Sequence, residues 1–325
     1  MSAPDVRVGI VSWNTGALLD RCLAALGPAL GPLRAEVVVV DNASGDDSRA
    51  VAAAHGVHLV ANAENVGYAR AMNQALAATE APVLIALNPD TEPAPGSLAA
   101  LVDALRAAPA AGVVAPRLVH PDGQPQHSAY RFPSLPLAAV VCFAPPSVQR
   151  GALGTTWRLE AAEAPDPPGP VDWVIGAVHV IRRSALGGAP PYSERWFMYA
   201  EDVELCWRLS RQGWQTVLVP EVEVVHVGNA SGAQAWGSER DKRFWAATYD
   251  LYATMHGGPA ARVWAFVNVL GVLVHIVANH LGSLARPNRR HQRDVAVGLA
   301  RVLPVHAAAI RDPEAPLRAL GAQPS

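Results

Sequence analysis

Two acidic clusters in this chain could do chemistry. The first closes a short apolar run, Val83-Leu84-Ile85-Ala86-Leu87, which ends abruptly in Asn88-Pro89-Asp90-Thr91. A carboxylate at the carboxyl end of a buried strand sits where open α/β sheets place their ligands. Such a group suits a divalent metal, which wants hard oxygen ligands and can share them with a diphosphate. The second cluster, Met198-Tyr199-Ala200-Glu201-Asp202, opens an amphipathic helix and could supply a general base. Together they point to group transfer from an activated nucleotide. Each has a plainer explanation as well, since Asn-Pro-Asp-Thr is good turn chemistry and acids in a helix's first turn complement its dipole. Two absences favour the chemical reading. The chain has no GxGxxG after its first strand and no GxxxxGK[ST], so a metal clamp would take the place of those phosphate cradles.

The elements that must position these groups alternate over the first hundred residues. Strands are expected at Val6–Val11, Val37–Val40, Val57–Val60 and Val83–Leu87. Helices are expected at Ala17–Leu26 (ended by Gly27), Arg49–His55, Tyr68–Ala78 and Ser97–Ala107. The strands are continuous apolar runs, as buried parallel strands are, and Leu18, Leu19, Cys22, Leu23 and Leu26 form a helical stripe. That pattern is a parallel α/β half. Polar residues end its strands at Ser12-Trp13-Asn14, Asp41-Asn42-Ala43-Ser44 and Asn88-Pro89-Asp90, so three loops converge on one sheet edge. Further on, 144–170 has the composition of a long irregular loop. A strand is expected over 171–177, a helix from Asp202 to Arg211, and a strand pair at 216–219 and 222–225 ending in His226.

Composition limits the function classes. The 325 residues are half hydrophobic with a formal net charge of −2, which describes a folded chain without the basic excess of a nucleic-acid binder. Cys22, Cys142 and Cys206 are odd in number and widely spaced in apolar contexts, as expected of reduced core thiols in a cytoplasmic protein. No secretory leader precedes the first strand, which agrees with that compartment. From Arg262 to Leu284 the chain is apolar but carries Asn268, His275, Asn279 and His280 as a narrow polar stripe, and Arg286, Arg289, Arg290 and Arg293 follow. Three placements compete for this segment. It could lie at the inner face of the cell membrane on anionic lipid, pack on the protein's own core, or span the bilayer.

Singly, the remaining candidates are weak. Asp41 could be an Asx turn with Ser44, His226 a lone histidine after a strand, Asn65, Gly67, Tyr68, Arg70 and Asn73 a loop and helix start, and Asp172-Trp173 a strand-edge pair. Their order is far more specific. Ile10-Val11-Ser12-Trp13-Asn14, Val39-Val40-Asp41-Asn42-Ala43-Ser44, Asn65-Val66-Gly67-Tyr68-Ala69, Leu87-Asn88-Pro89-Asp90, Asp172 to Ala177 and Phe197 to Asp202 closely resemble the successive motifs of family-two glycosyltransferases. The likeness runs from about Val6 to Gly228 and is nearest to the bacterial rhamnosyltransferase-like branch.

That resemblance implies a GT-A type α/β fold: a parallel nucleotide-binding half fused to a smaller acceptor-binding half around one mixed sheet, with C-terminal helices. On this basis the chain divides into a nucleotide-sugar half (1–115), an acceptor half (116–230) and a helical region (231–325), the last a candidate for membrane contact. The resemblance implies that Ser12, Asn14 and Asp41 contact the nucleoside and that Asn65, Arg70 and Asn73 line the nucleotide-sugar pocket. It implies that Asp90, with Asn88 in place of the motif's first acid, binds Mg²⁺ or Mn²⁺ and the diphosphate, with His226 completing the metal site. Asp202 matches the catalytic base, Glu201 stands beside it, and Asp172 and Trp173 would face donor sugar or acceptor. The implied reaction is inverting, metal-dependent transfer of a sugar, rhamnose from dTDP-rhamnose, to a hydroxyl of a glycan or polyprenyl-diphosphate-linked glycan. The alternative is a non-catalytic nucleotide-sugar-binding or scaffolding subunit of the same fold, with Asn88 and Ala200 as marks of decay. Ala200 stands where an aromatic is common and Glu204 where many relatives carry Asp, and both bear on acceptor choice. The sequence leaves room for a homo-oligomer.

Overall fold

The computed structural model describes residues 3–158, 169–228, 239–285 and 290–320. Of these, the residues up to Phe132 and from 169 to 228 form one compact unit, and those from 133 to 158 and from 239 to 320 form a second.

The first unit is built on a mixed sheet. Strands β1 (Val6–Ser12), β2 (Ala35–Asp41), β3 (His58–Ala61) and β4 (Val83–Leu87) alternate with helices α1 (Gly16–Leu30), α2 (Ser48–Ala54) and α3 (Tyr68–Leu76). They are followed by β5 (Thr91–Pro93), α4 (Ser97–Ala107), β6 (Ala111–Val119), β7 (Pro125–Gln126) and β8 (Ala129–Tyr130). After the second unit's first segment come β9 (Gly169–Val171), β10 (Trp173–Val174), β11 (Val178–Arg182), α8 (Glu201–Arg211) and β12 (Gln215–His226). The strand order is β3-β2-β1-β4-β11-β6-β12-β5, with β7 beside β6, β9 beside β12, and β10 paired with β8 as a separate ribbon. The pairs among β1 to β4 are parallel, whereas β11 runs antiparallel between β4 and β6. All five side chains of β4 are buried, as a strand covered on both faces requires. Gly9 permits that packing, because a Cβ there would come within 2.9 Å of both Ala75 and Leu76 on α3.

Four sequence expectations are corrected. Helix α1 does not stop at Gly27; it continues through Pro28 because Ala29 and Leu30 are buried, and it ends at Gly31, with φ +56°. Burial there outweighs the intrinsic cost of Gly and Pro. The strand expected over 171–177 is instead β9 and β10, broken at Asp172, whose carboxylate accepts from the Phe132 backbone N–H at 2.9 Å. The expected strand pair is one strand, β12, with a register shift between Val219 and Glu223 around Pro220. The stretch taken as irregular loop carries α6 (Pro146–Arg150) and α7 (Ala152–Trp157); the rest of it, 159–168, lies outside the described residues.

The second unit is helical: α5 (Leu135–Phe143), α6, α7, α9 (Arg240–His256), α10 (Gly258–Ala285), α11 (Arg290–Arg311) and α12 (Ala315–Leu320). Its core gathers Ala138, Tyr249, Tyr252, Trp264, Ala265, Val305 and Ala309. Gly271 lets α5 close on α10, since a Cβ there would lie 2.3 Å from Cys142 Sγ. All three cysteines are buried and free.

Candidate active site

The register of the sheet assembles one edge. Ser12 ends β1 opposite Asp41 at the end of β2, and Leu87 of β4 pairs with Ile10, so the three polar loops leave the sheet side by side. The Asp41 carboxylate is fully buried. Its Oδ2 accepts from Arg49 Nε at 2.6 Å and from the Ser44 N–H at 3.2 Å, while Oδ1 is a buried acceptor with no partner among the described residues. An acceptor left open in this way matches an N–H of an incoming base. The neighbouring loop is cross-braced. Ser12 Oγ bonds Thr15 Oγ1 at 2.8 Å, Asn14 (φ +54°) accepts from the Gly45 N–H at 2.7 Å, and Asp46 accepts from the Gly16 N–H at 2.9 Å. Asn42, inside a quoted motif but not singled out by sequence, donates to Asn65 Oδ1 at 2.6 Å and accepts from the Val66 N–H at 3.0 Å, which fixes the loop before α3.

The second group forms around β12. Strand β5 begins at Thr91, which pairs with His226, so Asp90 and His226 become neighbours although 136 residues apart in sequence. Both are buried, and His226 Nε2 lies 3.4 Å from Asp90 Oδ1. His226 Nδ1 lies 2.9 Å from Gln126 Oε1, so that nitrogen donates, and in the neutral ring Nε2 presents its lone pair to a carboxylate oxygen. Two facing acceptors repel unless a proton or a cation sits with them. One carboxylate and one imidazole, the latter oriented through its other nitrogen, are a fitting pair of ligands for a divalent metal. Among the described residues no group of three or more His, Cys, Asp or Glu side chains is placed to hold a metal, so a cation here needs substrate oxygens to complete its shell. Among the described residues, Asn88 Oδ1 is a further buried acceptor without a partner.

The third group is the start of α8. Tyr199 and Ala200 both adopt positive φ, +69° and +86°, a sharp turn that ordinary residues hold only under constraint from their surroundings. Asp202 Oδ1 accepts from the Val203 N–H at 2.8 Å, and Oδ2 from the Gly176 N–H at 3.3 Å. Glu201 is buried with Oε2 unpartnered, whereas Asp202 is partly exposed. Burial pushes both carboxyls above their ordinary range, and the negative charge of Asp202 adds to the rise at Glu201. The helix N-terminus would favour the ionised forms, but desolvation prevails.

Tyr68 joins the two acidic clusters. Its phenol is pushed well up by burial and further by the charges of Glu201, Asp202 and Asp90. Its hydroxyl donates to Gly176 O at 3.4 Å, and its backbone N–H donates to Phe197 O at 2.8 Å. Gly67 is essential to that strap: φ is +87° and a Cβ would sit 2.7 Å from Phe197 O. Gly67→Ala is expected to destabilise the protein by about 1–3 kcal/mol in chemical denaturation. Gly56→Ala, with φ +65° and nothing within 4 Å of its Cβ, should cost less.

Several candidates are held by bonds within the fold. Asn73 is tied at both ends of its amide, to Tyr192 N and O at 3.1 and 2.8 Å and to Glu194 Oε1 at 3.1 Å, so it straps α3 to the segment before α8. Asp172 caps the β8/β10 ribbon through Phe132 N–H, and Trp173 stacks on Tyr130 at 4.6 Å with its indole N–H on Arg131 O. Asn65 is engaged with Asn42 and with the Gly67 N–H. Arg70 is exposed on α3. Tyr68 belongs to the loop and helix start weighed from sequence, whereas Gln126, Tyr192 and the buried His179 that bonds Tyr192 at 3.0 Å were not singled out, and no local signal marks them.

Comparison with known proteins decides the family. The model of glycosyl transferase family 2 matches residues 7–147. An N-acetylglucosaminyl-diphospho-decaprenol L-rhamnosyltransferase of Mycobacterium tuberculosis is 34% identical over 298 residues, which cover 86% of this chain and 94% of that protein. The chain belongs to glycosyl transferase family 2. It is a glycosyltransferase, and the reading as a non-catalytic nucleotide-sugar-binding or scaffolding subunit gives way to an enzyme. The rhamnosyltransferase WbbL of Escherichia coli is 36% identical over a shorter stretch of 56 residues, 17% of this chain and 21% of that one. Among solved structures, the mannosyltransferase PcManGT of Pyrobaculum calidifontis, in complex with GDP-Man and Mn²⁺, superposes with a TM-score of 0.55 at 18% identity, covering 96% of this chain and 88% of its own. GalNAc-T7 superposes at 0.51 with 17% identity over 75% and 51% of the two chains. These two likenesses are of fold, and they agree with a GT-A type α/β architecture.

Proposed function

We propose that this glycosyltransferase moves rhamnose from dTDP-rhamnose to a hydroxyl of a polyprenyl-diphosphate-linked glycan, with inversion at the anomeric carbon. The observation that carries the reading is the 34% identity with the mycobacterial rhamnosyltransferase across 86% of the chain, with Asp202 at the mouth of α8 as its chemical counterpart. Asp202, the more exposed of two adjacent acids, takes the acceptor's hydroxyl proton as that oxygen bonds the anomeric carbon. The bond from that carbon to the diphosphate oxygen breaks, and its electron pair leaves with the diphosphate. Gly176 N–H and Val203 N–H hold the carboxylate in place, and the raised affinity of Asp202 for protons makes it a better base than a solvated carboxylate. Asp90 and His226 would hold Mg²⁺ or Mn²⁺, whose charge offsets that of the departing diphosphate. The open Asp41 Oδ1 would receive the base. Ser12 and Asn14 would shape that pocket, Asn65 and Asn73 its walls through the straps they make, and Arg70 would meet the phosphates. Trp173, with Asp172 bracing its ribbon, would face the sugar. Catalysis on the cytoplasmic side of the membrane fits a nucleotide donor.

Glu201 contributes differently. Its folded carboxyl takes up a proton more readily than in the unfolded chain, so the folded state is favoured by acid, and stability is lost as pH rises through the raised value. Glu201→Gln is therefore expected to stabilise the protein at neutral and higher pH by on the order of 1 kcal/mol, with the gain vanishing below the unfolded glutamate's titration. Thermal melts across pH check it.

The experiment for the proposed function is release of nucleoside diphosphate from a panel of nucleotide sugars with Mn²⁺, Mg²⁺ or EDTA. Metal-dependent turnover of dTDP-rhamnose above the others supports the reading, and preference for another donor overturns the choice of sugar.

A further inference from the structure

The second unit carries a surface that transfer chemistry does not use. Along α10, Val263, Phe266, Leu270, Leu273, Val274, Val277 and Leu281 are all exposed, and apart from the adjacent Leu273 and Val274 their steps of three and four put them on one helical face. Phe266 and Val277 are 51% and 56% exposed. The opposite face is a packed one: Ala261, Trp264, Ala265, Asn268 and Val272 are buried, and Gly271 meets Cys142 of α5. By length and composition Gly258–Leu281 could cross a membrane, with mean hydropathy 1.8. A crossing helix would meet lipid all round, however, whereas this one is covered along one side by its own unit. Asn268 is buried and Asn279 half-buried, and both donate to the helix's own carbonyls, at Trp264 and His275. On α5, Val141 and Phe143 are exposed as well. Contiguous apolar surface on this scale is rare on a protein that faces only water.

Charge says what covers it. Residues 258–293 contain five arginines, Arg262, Arg286, Arg289, Arg290 and Arg293, and no Asp or Glu. Arg286 and Arg289 lie outside the described residues, as do the side chains of Arg290 and Arg293, so these four enter as sequence alone. A second copy of the same all-basic segment would offer no complementary acids, whereas an anionic lipid surface complements both the stripe and the arginines.

We infer that the outer face of α10 is a membrane-docking surface, on which the helix lies in the plane of an anionic bilayer without spanning it. The inference deepens the lipid-linked acceptor proposed above and rests on that reading for its biological sense only. Vesicles that contain no acceptor test the face apart from the reaction.

The test is flotation of the full chain with phosphatidylcholine vesicles, with and without phosphatidylglycerol, at low and high salt. The wild type is expected to float with anionic vesicles, less so at high salt. Phe266→Glu/Val277→Glu should weaken this about tenfold or more while circular dichroism and melting temperature stay unchanged. Leu273→Glu serves as a second, independent probe if the double variant does not fold. Replacing Arg286, Arg289, Arg290 and Arg293 with Ala should remove the preference for phosphatidylglycerol. The inference is overturned if the wild type ignores both vesicle types. It is equally overturned if stripe variants bind as the wild type does, or if they convert a dimer to a monomer with vesicle binding intact, which would assign the face to a second copy.

Discussion

Asp202→Asn is expected to lower the rate of sugar transfer by about 10²–10⁴-fold while leaving nucleotide-sugar affinity within about twofold of wild type. The substitution keeps the size of the side chain but only one of the two oxygens that accept from the Val203 and Gly176 N–H groups, and the longer bond, to Gly176 at 3.3 Å, is the one expected to be given up, so a melting temperature is measured beside the rate. What it removes is the capacity to take a proton. The same argument fixes the acid side of the wild-type pH profile. A base must be ionised to act, and burial raises the Asp202 carboxyl, so activity should fall as pH drops at values above those of a solvated aspartate, and not only below pH 4. Single-turnover rates and calorimetric donor binding separate the two roles. Loss of donor binding in step with rate would make Asp202 a binding residue.

The second large effect is at the metal pair. Asp90→Ala is expected to reduce metal-dependent donor turnover by about 10²-fold or more, the scale of losing a preorganised electrostatic contact to the leaving group. In metal-free buffer His226 Nε2 and Asp90 Oδ1 lie 3.4 Å apart with no cation between them, so the variant's own melting temperature is the baseline against which metal is added. Added Mn²⁺ with nucleoside diphosphate should raise the melting temperature of the wild type and not of the variant, because only a ligand bound to the folded state shifts that equilibrium. A metal-induced rise of equal size in both would move the metal elsewhere. Gln126 makes a related claim on a smaller scale, since it fixes which imidazole nitrogen is free.

The sequence was legible where local pattern and burial agree. Strand β4 is five apolar residues closed by a polar turn, and both its limits and the placing of Asn88 and Asp90 at the sheet edge could be read from that alone. The helix opening at Glu201 was legible for the same reason, through its amphipathic period. Features that depend on distant pairing were not. His226 meets Asp90 only because β12 pairs antiparallel with a three-residue strand that begins at Thr91, and nothing local announces that pairing. Gln126 owes its position to another such pairing, of β7 with β6. Local signals also misled where tertiary burial overrode them. Gly27 suggested an end to α1 that Ala29 and Leu30, both buried, carried past. Around Leu135–Phe143 the residues are apolar on every side, so no helical period stood out, and the contact of Cys142 with Gly271 is what gives that segment its inner face. Asn73 illustrates the limit for sites. The resemblance makes it a pocket lining, whereas the structure shows its amide bonded to Tyr192 and Glu194, long-range partners that no local signal announces.

The most direct test of the account is to incubate the enzyme with dTDP-rhamnose labelled in the sugar, a polyprenyl-diphosphate-linked N-acetylglucosamine acceptor and Mn²⁺, and to follow label and anomeric configuration in the lipid fraction. The account predicts label in the lipid-linked product with inverted configuration, absent with EDTA and absent in Asp202→Asn. Retained configuration, or undiminished transfer by Asp202→Asn, would contradict it.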